Sequence, residues 1–111
     1  MNEKMKVIAD KHGYEYQSRQ LIEEMAELTQ AINKHWRNAS EDTLNHIVEE
    51  IADVEICLVQ IKYLLNVDPS VLAAWKYYKT AREIDRLNGS EEIDTSEAWK
   101  SQMMSRFMRK E

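Results

Sequence analysis

The chain has few of the residues that interrupt regular structure. Its 111 residues include two glycines and one proline, so sharp turns are rare and long helices are favoured. The single cysteine, Cys57, excludes a disulfide within the chain and stands in an apolar run, where a small core residue is expected. Because Glu, Lys, Leu, Ile and Ala are abundant instead, the composition predicts an all-α protein.

Long hydrophobic runs and an excess of positive charge are also missing. The sequence has no stretch of about 18 apolar residues and no hydrophobic signal core, so we expect a cytoplasmic protein without a membrane partner. The net charge of −5 argues against binding to a nucleic-acid polymer, which requires a basic surface. A single nucleotide stays compatible, because a bound divalent cation reverses the local sign of a carboxylate-rich pocket.

Apolar periodicity and breaking residues divide the chain into helices. Gly13 ends the first predicted helix, and Asp68 and Pro69 form the start of the last one. The pattern predicts four helices, at about 1–12, 14–37, 41–65 and 69–87.

The length predicts one domain with a thin core. We therefore expect an antiparallel four-helix bundle at about 14–88, followed by a C-terminal helical extension at 89–111. The second half of the third helix is apolar on all sides, which is typical of a helix buried in several directions. This feature predicts a dimer.

The most informative feature is an acidic octet that occurs twice. Residues 21–28 read LIEEMAEL and residues 47–54 read IVEEIADV, so the two octets agree in character at every position. On a helical wheel, the second acid of each octet lies roughly 60–70° from the centre of the apolar stripe. The third acid lies about 120–130° from that centre on the same side. The first acids, Glu23 and Glu49, fall nearly opposite the stripe and should face solvent.

Packing of the two stripes as antiparallel neighbours would bring the remaining four acids to one edge of the contact. Close carboxylates repel one another unless protons or cations compensate their charge. Ligands that are all oxygen suit Mg²⁺, or Mn²⁺, rather than zinc. A single acidic turn is usually a solvated surface. Here two acidic turns have the same position relative to their apolar stripes, which favours a metal site. Its ligands would be Glu24, Glu27, Glu50 and Asp53.

These acids also carry a resemblance to a known family. An EExxE motif (23–27) is followed, after twenty-two residues, by an ExxD motif (50–53). The pair resembles the all-α nucleoside triphosphate pyrophosphohydrolases of the MazG-like superfamily, over about 14–87. The resemblance implies a helical bundle, a homodimer or homotetramer, and Mg²⁺-dependent hydrolysis of (d)NTP to (d)NMP and pyrophosphate. It also implies that Glu24, Glu27, Glu50 and Asp53 hold the metal, with Glu23 and Glu49 beside them to orient or deprotonate water.

Binding of the substrate should involve further residues. Basic side chains of the fourth helix share one stripe and are candidates for the phosphates, as in the resembling family; these are Lys79, Arg82 and Arg86. Weaker phosphate candidates are Lys34 and Arg37. Gln17 and Gln20 lie on the same side of the helix as Glu24 and can contact a base or sugar. Trp36 is a stacking candidate, although core packing is favoured for it. The three histidines share no spacing and are interpreted as surface or boundary residues.

Other functions remain open at this point. A di-iron carboxylate bundle requires Glu-x-x-His pairs, and the residues three positions before the histidines are Ala9, Ile32 and Thr43. A non-catalytic helical interaction module is compatible with the amphipathic helices, and a nucleotide-sensing protein without turnover is compatible with the acids. The chain also lacks a strong match to the Lys- and Gly-rich segment of the phosphoribosyl-ATP pyrophosphohydrolase branch, which disfavours that role.

Overall fold

The structure is a computed structural model that describes residues 1–89. Three helices, α1 (Glu3–Arg37), α2 (Glu41–Leu64) and α3 (Pro69–Leu87), account for most of these residues, and no strand occurs among them. The all-α class predicted from the sequence is therefore confirmed. The helical extension expected at 89–111 lies, apart from Gly89, outside the described residues.

The helices begin at side chains that cap them. Asn2 accepts a hydrogen bond from the Met5 backbone N–H at 2.9 Å. Ser40 and Thr43 form a reciprocal capping box at the start of α2. Asp68 caps α3, and Pro69 is its first helical residue, as predicted. The short breaks between the helices are thus specified by local sequence.

Gly13 interrupts α1 without ending it. Its φ of 81° and ψ of 172° are not helical, although the helix continues on both sides. An added Cβ would meet no atom within 4 Å, so the backbone conformation, rather than the available space, requires glycine. The first two helices predicted from the sequence are thus one interrupted helix. A four-helix bundle is not confirmed by the described residues, which form three helices.

The chain divides into two compact units, Met1–Asn66 and Val67–Glu111. In the first unit, α1 packs against α2. The Asp10 carboxylate accepts a hydrogen bond from the Tyr63 hydroxyl at 2.8 Å, and the His35 ring lies 2.8 Å from the Thr43 hydroxyl. The start of α1 thus contacts the end of α2, and the end of α1 contacts the start of α2. The two helices are antiparallel, as expected.

The face of α1 that packs on α2 coincides only in part with the apolar stripe predicted along residues 21–36. Gln17 and Ala31 are buried and Glu24 is half-buried, whereas Met25 and Ile32 of the stripe are 44% and 41% exposed. The buried positions lie about 60° from the stripe centre, on the side of the acids. The second acid therefore lies within the helix contact, and the expectation that all four acids lie at its edge is corrected.

Large apolar residues are instead exposed along both helices. On each helix they lie one position after the residues that face the partner helix, which is about 100° further around the axis. Because α1 and α2 run in opposite directions, this equal offset turns both rows to the same side of the pair. We call this surface the apolar face; it consists of Ile22, Met25, Ile32 and Trp36 of α1 and Leu44, Val48, Ile51, Leu58 and Leu65 of α2.

The second unit is described by α3. Tyr78 is buried, and the Trp75 and Tyr78 rings are in edge contact with their centroids 6.3 Å apart. This is a favourable geometry for two aromatic rings. Within residues 1–89, no helix combines the length and the apolar character needed to cross a bilayer.

Candidate metal centre

Four carboxylates meet where α1 crosses α2. Ligand oxygens of Glu24, Glu27 and Glu50 all lie within 4.8 Å of one another. The Asp53 carboxyl approaches Glu24 closely enough to interact with it directly. The two helices therefore bring together all four acids that the sequence singles out. Their assignment as metal ligands stays a prediction.

Two of these carboxylates have buried oxygens without partners. Glu50 is 6% exposed and Glu24 is half-buried. No described residue donates a hydrogen bond to the buried Oε2 atom of either side chain. Burying a carboxylate oxygen without a donor is costly, and a cation held by these oxygens removes that cost. The donor set, which is entirely oxygen, fits a hard divalent ion such as Mg²⁺.

The local electrostatics favour protonation when no cation is bound. Burial raises the pKa of Glu24, and the nearby charges of Asp53 and Glu27 add to this, while a hydrogen bond from Gln20 opposes it. The Glu50 carboxylate raises the pKa of Glu27, with further contributions from burial and from the Asp53 charge. Like charges at such distances disfavour full ionisation. The cluster therefore stores repulsion that a bound cation would relieve.

The cluster has an approximate internal two-fold arrangement. Each residue of the first octet has its equivalent 26 positions later, as Glu24 has Glu50 and Glu27 has Asp53. Glu24 faces Asp53 across the helix contact, and Glu27 faces Glu50. Exchange of the two octets converts one facing pair into the other. The sequence repeat thus appears in space as two equivalent carboxylate pairs.

The correspondence between the two octets also includes the residues one helical turn before Glu24 and Glu50. Gln20 Nε2 donates to Glu24 Oε1 at 3.0 Å, and His46 Nε2 lies 3.3 Å from Glu50 Oε1. His46 occupies the position equivalent to Gln20. His46 is half-buried, as a surface or boundary residue is expected to be, but that interpretation did not include this contact. Its spacing of four residues before Glu50 on one helix is the signal that could have found it.

The first acids of the two motifs have different surroundings. Glu23 is exposed and acts on Glu27 through its charge. Glu49 is also exposed, but one of its oxygens lies within 4.8 Å of ligand atoms of His46 and Glu50. Of the two predicted water-activating residues, Glu49 therefore lies next to a buried acid, and Glu23 lies beside an exposed one.

Cys57 lies close enough to the cluster to be affected by its charges. It is buried, in agreement with the core role predicted for it. Burial raises the pKa of its thiol, and the charges of Glu24 and Asp53 raise it further. A thiol held in this way stays protonated at neutral pH, so it is an unreactive packing residue.

The other α1 candidates are divided between the helix contact and solvent. Gln17 is buried and donates a hydrogen bond to the Gln60 side chain, so it is engaged within the protein. Lys34 and Arg37 are exposed in the last turn of α1, where positive charge complements the helix dipole. Trp36 is 83% exposed. Its ring is available for stacking, and the core packing favoured from the sequence does not occur among residues 1–89.

The basic residues of α3 interact with neighbours on their own helix. Lys79 Nζ lies 5.9 Å from the centre of the Trp75 ring. The Arg82 guanidinium lies 5.6 Å from the centre of the Tyr78 ring. Arg86 pairs with Glu83 at 3.7 Å. These residues belong to the second unit, and their role in binding phosphates stays a prediction.

Comparisons of the chain with protein-family models, with curated proteins and with solved structures find no match. The resemblance to the MazG-like pyrophosphohydrolases therefore rests on the two acidic motifs and their spacing.

Proposed function

We propose that the protein is a Mg²⁺-dependent nucleoside triphosphate pyrophosphohydrolase of the MazG-like type, which converts a (d)NTP and water to a (d)NMP and pyrophosphate. The observation that carries this proposal is the pair of buried, unpartnered oxygens of Glu24 and Glu50 in a cluster with Glu27 and Asp53. Without a bound cation this arrangement would lower the stability of the fold, because the carboxylates repel one another and their buried oxygens lose contact with water.

In this proposal the chain supplies ligands and proton acceptors. Glu24, Glu27, Glu50 and Asp53 hold Mg²⁺, with Mn²⁺ as an alternative. A divalent ion bound there would neutralise phosphate oxygens and lower the pKa of water. Glu49, which is exposed beside Glu50, accepts the proton of the attacking water, with Glu23 in the equivalent place on α1.

Substrate recognition in this proposal uses further residues that the sequence singles out. The α3 cations Lys79, Arg82 and Arg86 bind the phosphates, with Lys34 and Arg37 as further candidates. Gln20 and the exposed ring of Trp36 contact the nucleoside. Gln17 is a weaker candidate, because its amide is buried and already bonded to Gln60.

We further propose that the chain acts in the cytoplasm as a homodimer or homotetramer with a MazG-like four-helix core. The apolar face supports the oligomer, since exposed apolar rows of this length on two adjacent helices are unusual for a monomer. Association of a second copy on this face would cover both rows at once.

The test is pyrophosphate release from a panel of canonical and modified NTPs and dNTPs, measured with Mg²⁺ and with EDTA. Glu50→Gln removes one buried ligand charge, and Glu41→Gln removes an exposed charge from the first turn of the same helix. We expect release that requires Mg²⁺, is lost in Glu50→Gln and is retained in Glu41→Gln. Absence of release across the panel, or equal release from both variants, would contradict the proposal.

A second candidate function is a non-catalytic helical interaction module, including one that senses nucleotides. The apolar face favours it, because this surface could equally dock a partner protein. The two candidates differ in what they require of the acids. Replacing Glu24 or Asp53 with Ala would leave partner binding intact in the interaction module and would abolish turnover in the enzyme. A nucleotide sensor would bind its nucleotide with Mg²⁺ and form no product.

A further inference from the structure

Glu50 belongs to a second group of side chains that could hold a cation. His46, Glu49 and Glu50 each offer one ligand atom, and these atoms lie within 4.8 Å of one another. Their spacing along α2 places them on adjacent positions of one helix surface. The set differs from the four-carboxylate cluster because it contains an imidazole nitrogen, and His46 Nε2 lies 3.3 Å from Glu50 Oε1.

The burial of Glu50 and the state of its carboxylate support a ligand at this place. Glu50 is more than nine-tenths buried, and its Oε2 atom accepts no hydrogen bond from the described residues. One carboxylate oxygen therefore faces the imidazole while the other lies unpartnered in the protein. A carboxylate that belongs to two ligand sets can give one oxygen to each of two cations.

We infer that His46, Glu49 and Glu50 form a second cation position, which shares Glu50 with the four-carboxylate centre and takes a borderline transition ion such as Co²⁺ or Zn²⁺ in preference to Mg²⁺. Imidazole nitrogen is a common ligand for such ions, whereas Mg²⁺ requires oxygen ligands and loses its water reluctantly. The inference rests on the proposed metal centre, because both positions use Glu50, but it does not depend on nucleotide turnover.

The internal repeat supplies a natural comparison. The equivalent residues on α1 are Gln20, Glu23 and Glu24, which have the same spacing and an amide in place of the imidazole. The two halves of the site therefore differ by one nitrogen ligand. His46→Gln makes the α2 set identical in type to the α1 set, and it keeps a hydrogen-bonding side chain beside Glu50.

The experiment is a Co²⁺ titration of the full chain in saturating Mg²⁺, followed by visible absorption and by equilibrium dialysis. All proteins are compared in one buffer at about pH 7.5, because metal affinity depends on pH. We expect the unmodified protein to retain a Co²⁺ ion that excess Mg²⁺ does not displace. His46→Gln should weaken its binding at least about tenfold and change its absorption spectrum. His12→Gln, which removes an exposed imidazole that stacks on Tyr16, is the matched control and should bind as the unmodified protein does.

A second variant keeps the inference testable if His46→Gln fails to fold. Glu49 is exposed, so Glu49→Gln removes a ligand charge without disturbing a buried contact, and it should also weaken Co²⁺ binding. Binding of Co²⁺ with unchanged affinity and spectrum in both variants would overturn the inference, even if Mg²⁺-dependent pyrophosphate release were observed. Retention of a His46-dependent Co²⁺ ion by a protein that releases no pyrophosphate would support the inference and contradict the proposed reaction.

Discussion

Gln17 on α1 donates a side-chain hydrogen bond to Gln60 on α2, where both amides are buried between the helices. The pair lies two turns from the carboxylate cluster on α1. A buried amide pair forms only when the two helices have the correct register, because any shift leaves both amides without partners. This pair therefore fixes the alignment that brings Glu24 opposite Asp53.

We expect Gln17→Leu to destabilise the protein by about 1–3 kcal/mol, because it leaves the Gln60 amide buried and unsatisfied. The double variant Gln17→Leu/Gln60→Leu should regain most of this stability, since no polar group is then left without a partner. Urea denaturation at fixed protein concentration measures both effects. Gln30→Leu, at an exposed position of α1, is the control. If Gln17→Leu has unchanged stability but a higher KM for the nucleotide, the result would indicate that Gln17 binds substrate and does not stabilise the helix pair.

The raised pKa of Glu27 predicts how stability without metal depends on pH. The folded protein holds the Glu27 proton more tightly than the unfolded chain does, mainly because of Glu50. This contribution to stability is present below the ordinary pKa of 4.5 and is lost as the pH rises through the folded value.

With EDTA present, the melting temperature of the unmodified protein should therefore fall more between about pH 5 and about pH 8 than that of Glu27→Gln. At the upper pH the variant should be the more stable of the two. Glu41→Gln, at an exposed site in the first turn of α2, should follow the unmodified protein. Parallel curves for all three proteins would show that Glu27 is not coupled to the cluster.

Divalent cations should stabilise the folded chain at neutral pH. Ligand that binds only the folded state adds about 2.7 kcal/mol at a hundredfold excess over its Kd. Mg²⁺ should therefore raise the melting temperature of the unmodified protein, and Glu50→Gln should lose this increment even if relief of repulsion makes the apo variant more stable. An equal rise in the melting temperature of both proteins would show that Mg²⁺ binds at a site that does not include Glu50.

Gly13 should be intolerant of substitution despite its open surroundings. Its φ of 81° and ψ of 172° lie in a region that is essentially restricted to glycine, and a side chain there costs about 1–3 kcal/mol. Gly13→Ala should lose stability of that order in urea denaturation. An equal or higher stability would show that the helix straightens at low cost, and the hydrogen bond between Asp10 and Tyr63 would then be expected to break.

The apolar face should control self-association. Ile51 is 40% exposed on this face, and Ile51→Glu places a charge where a second copy would cover it. We expect the protein to sediment as a dimer or tetramer and the variant to sediment as a 13.1 kDa monomer. Val7→Glu is a control at a 64% exposed position outside the apolar face. A monomer in the unmodified protein at micromolar concentration would refute the proposed assembly.

Helix positions were the most predictable part of the fold. Ser40 and Asp68 cap their helices through local hydrogen bonds, and the proline ring of Pro69 fixes a backbone angle that suits a helix start. The starts of α2 and α3 can therefore be placed without tertiary information. The convergence of the acids follows from helical periodicity and an antiparallel pair. The sequence predicts a break at Gly13, but it does not show that helical structure resumes directly after the kink at this residue.

The packing faces were less predictable. Periodicity identifies which side of a helix is apolar, but it does not identify what covers that side. Met25 and Ile51 belong to the apolar stripes but remain exposed, while Gln17 and Glu50 occupy the helix contact. The contact between His46 and Glu50 is predictable from their spacing of one helical turn, whereas the absence of a shared spacing among the histidines carries no information about it.

The two-fold relation between the octets has a consequence for the orientation of a bound triphosphate. Glu24 exchanges with Glu50, and Glu27 exchanges with Asp53, under this relation. The charges of the four carboxylates therefore present closely similar surroundings to either end of a polyphosphate chain. A nucleotide has a nucleoside at one end only, and hydrolysis at a defined phosphate requires that the ends be told apart. Direction must therefore come from positions where the two octets and their neighbours differ. These include Glu27 opposed to the shorter Asp53, and the Gln20 amide opposed to the His46 imidazole.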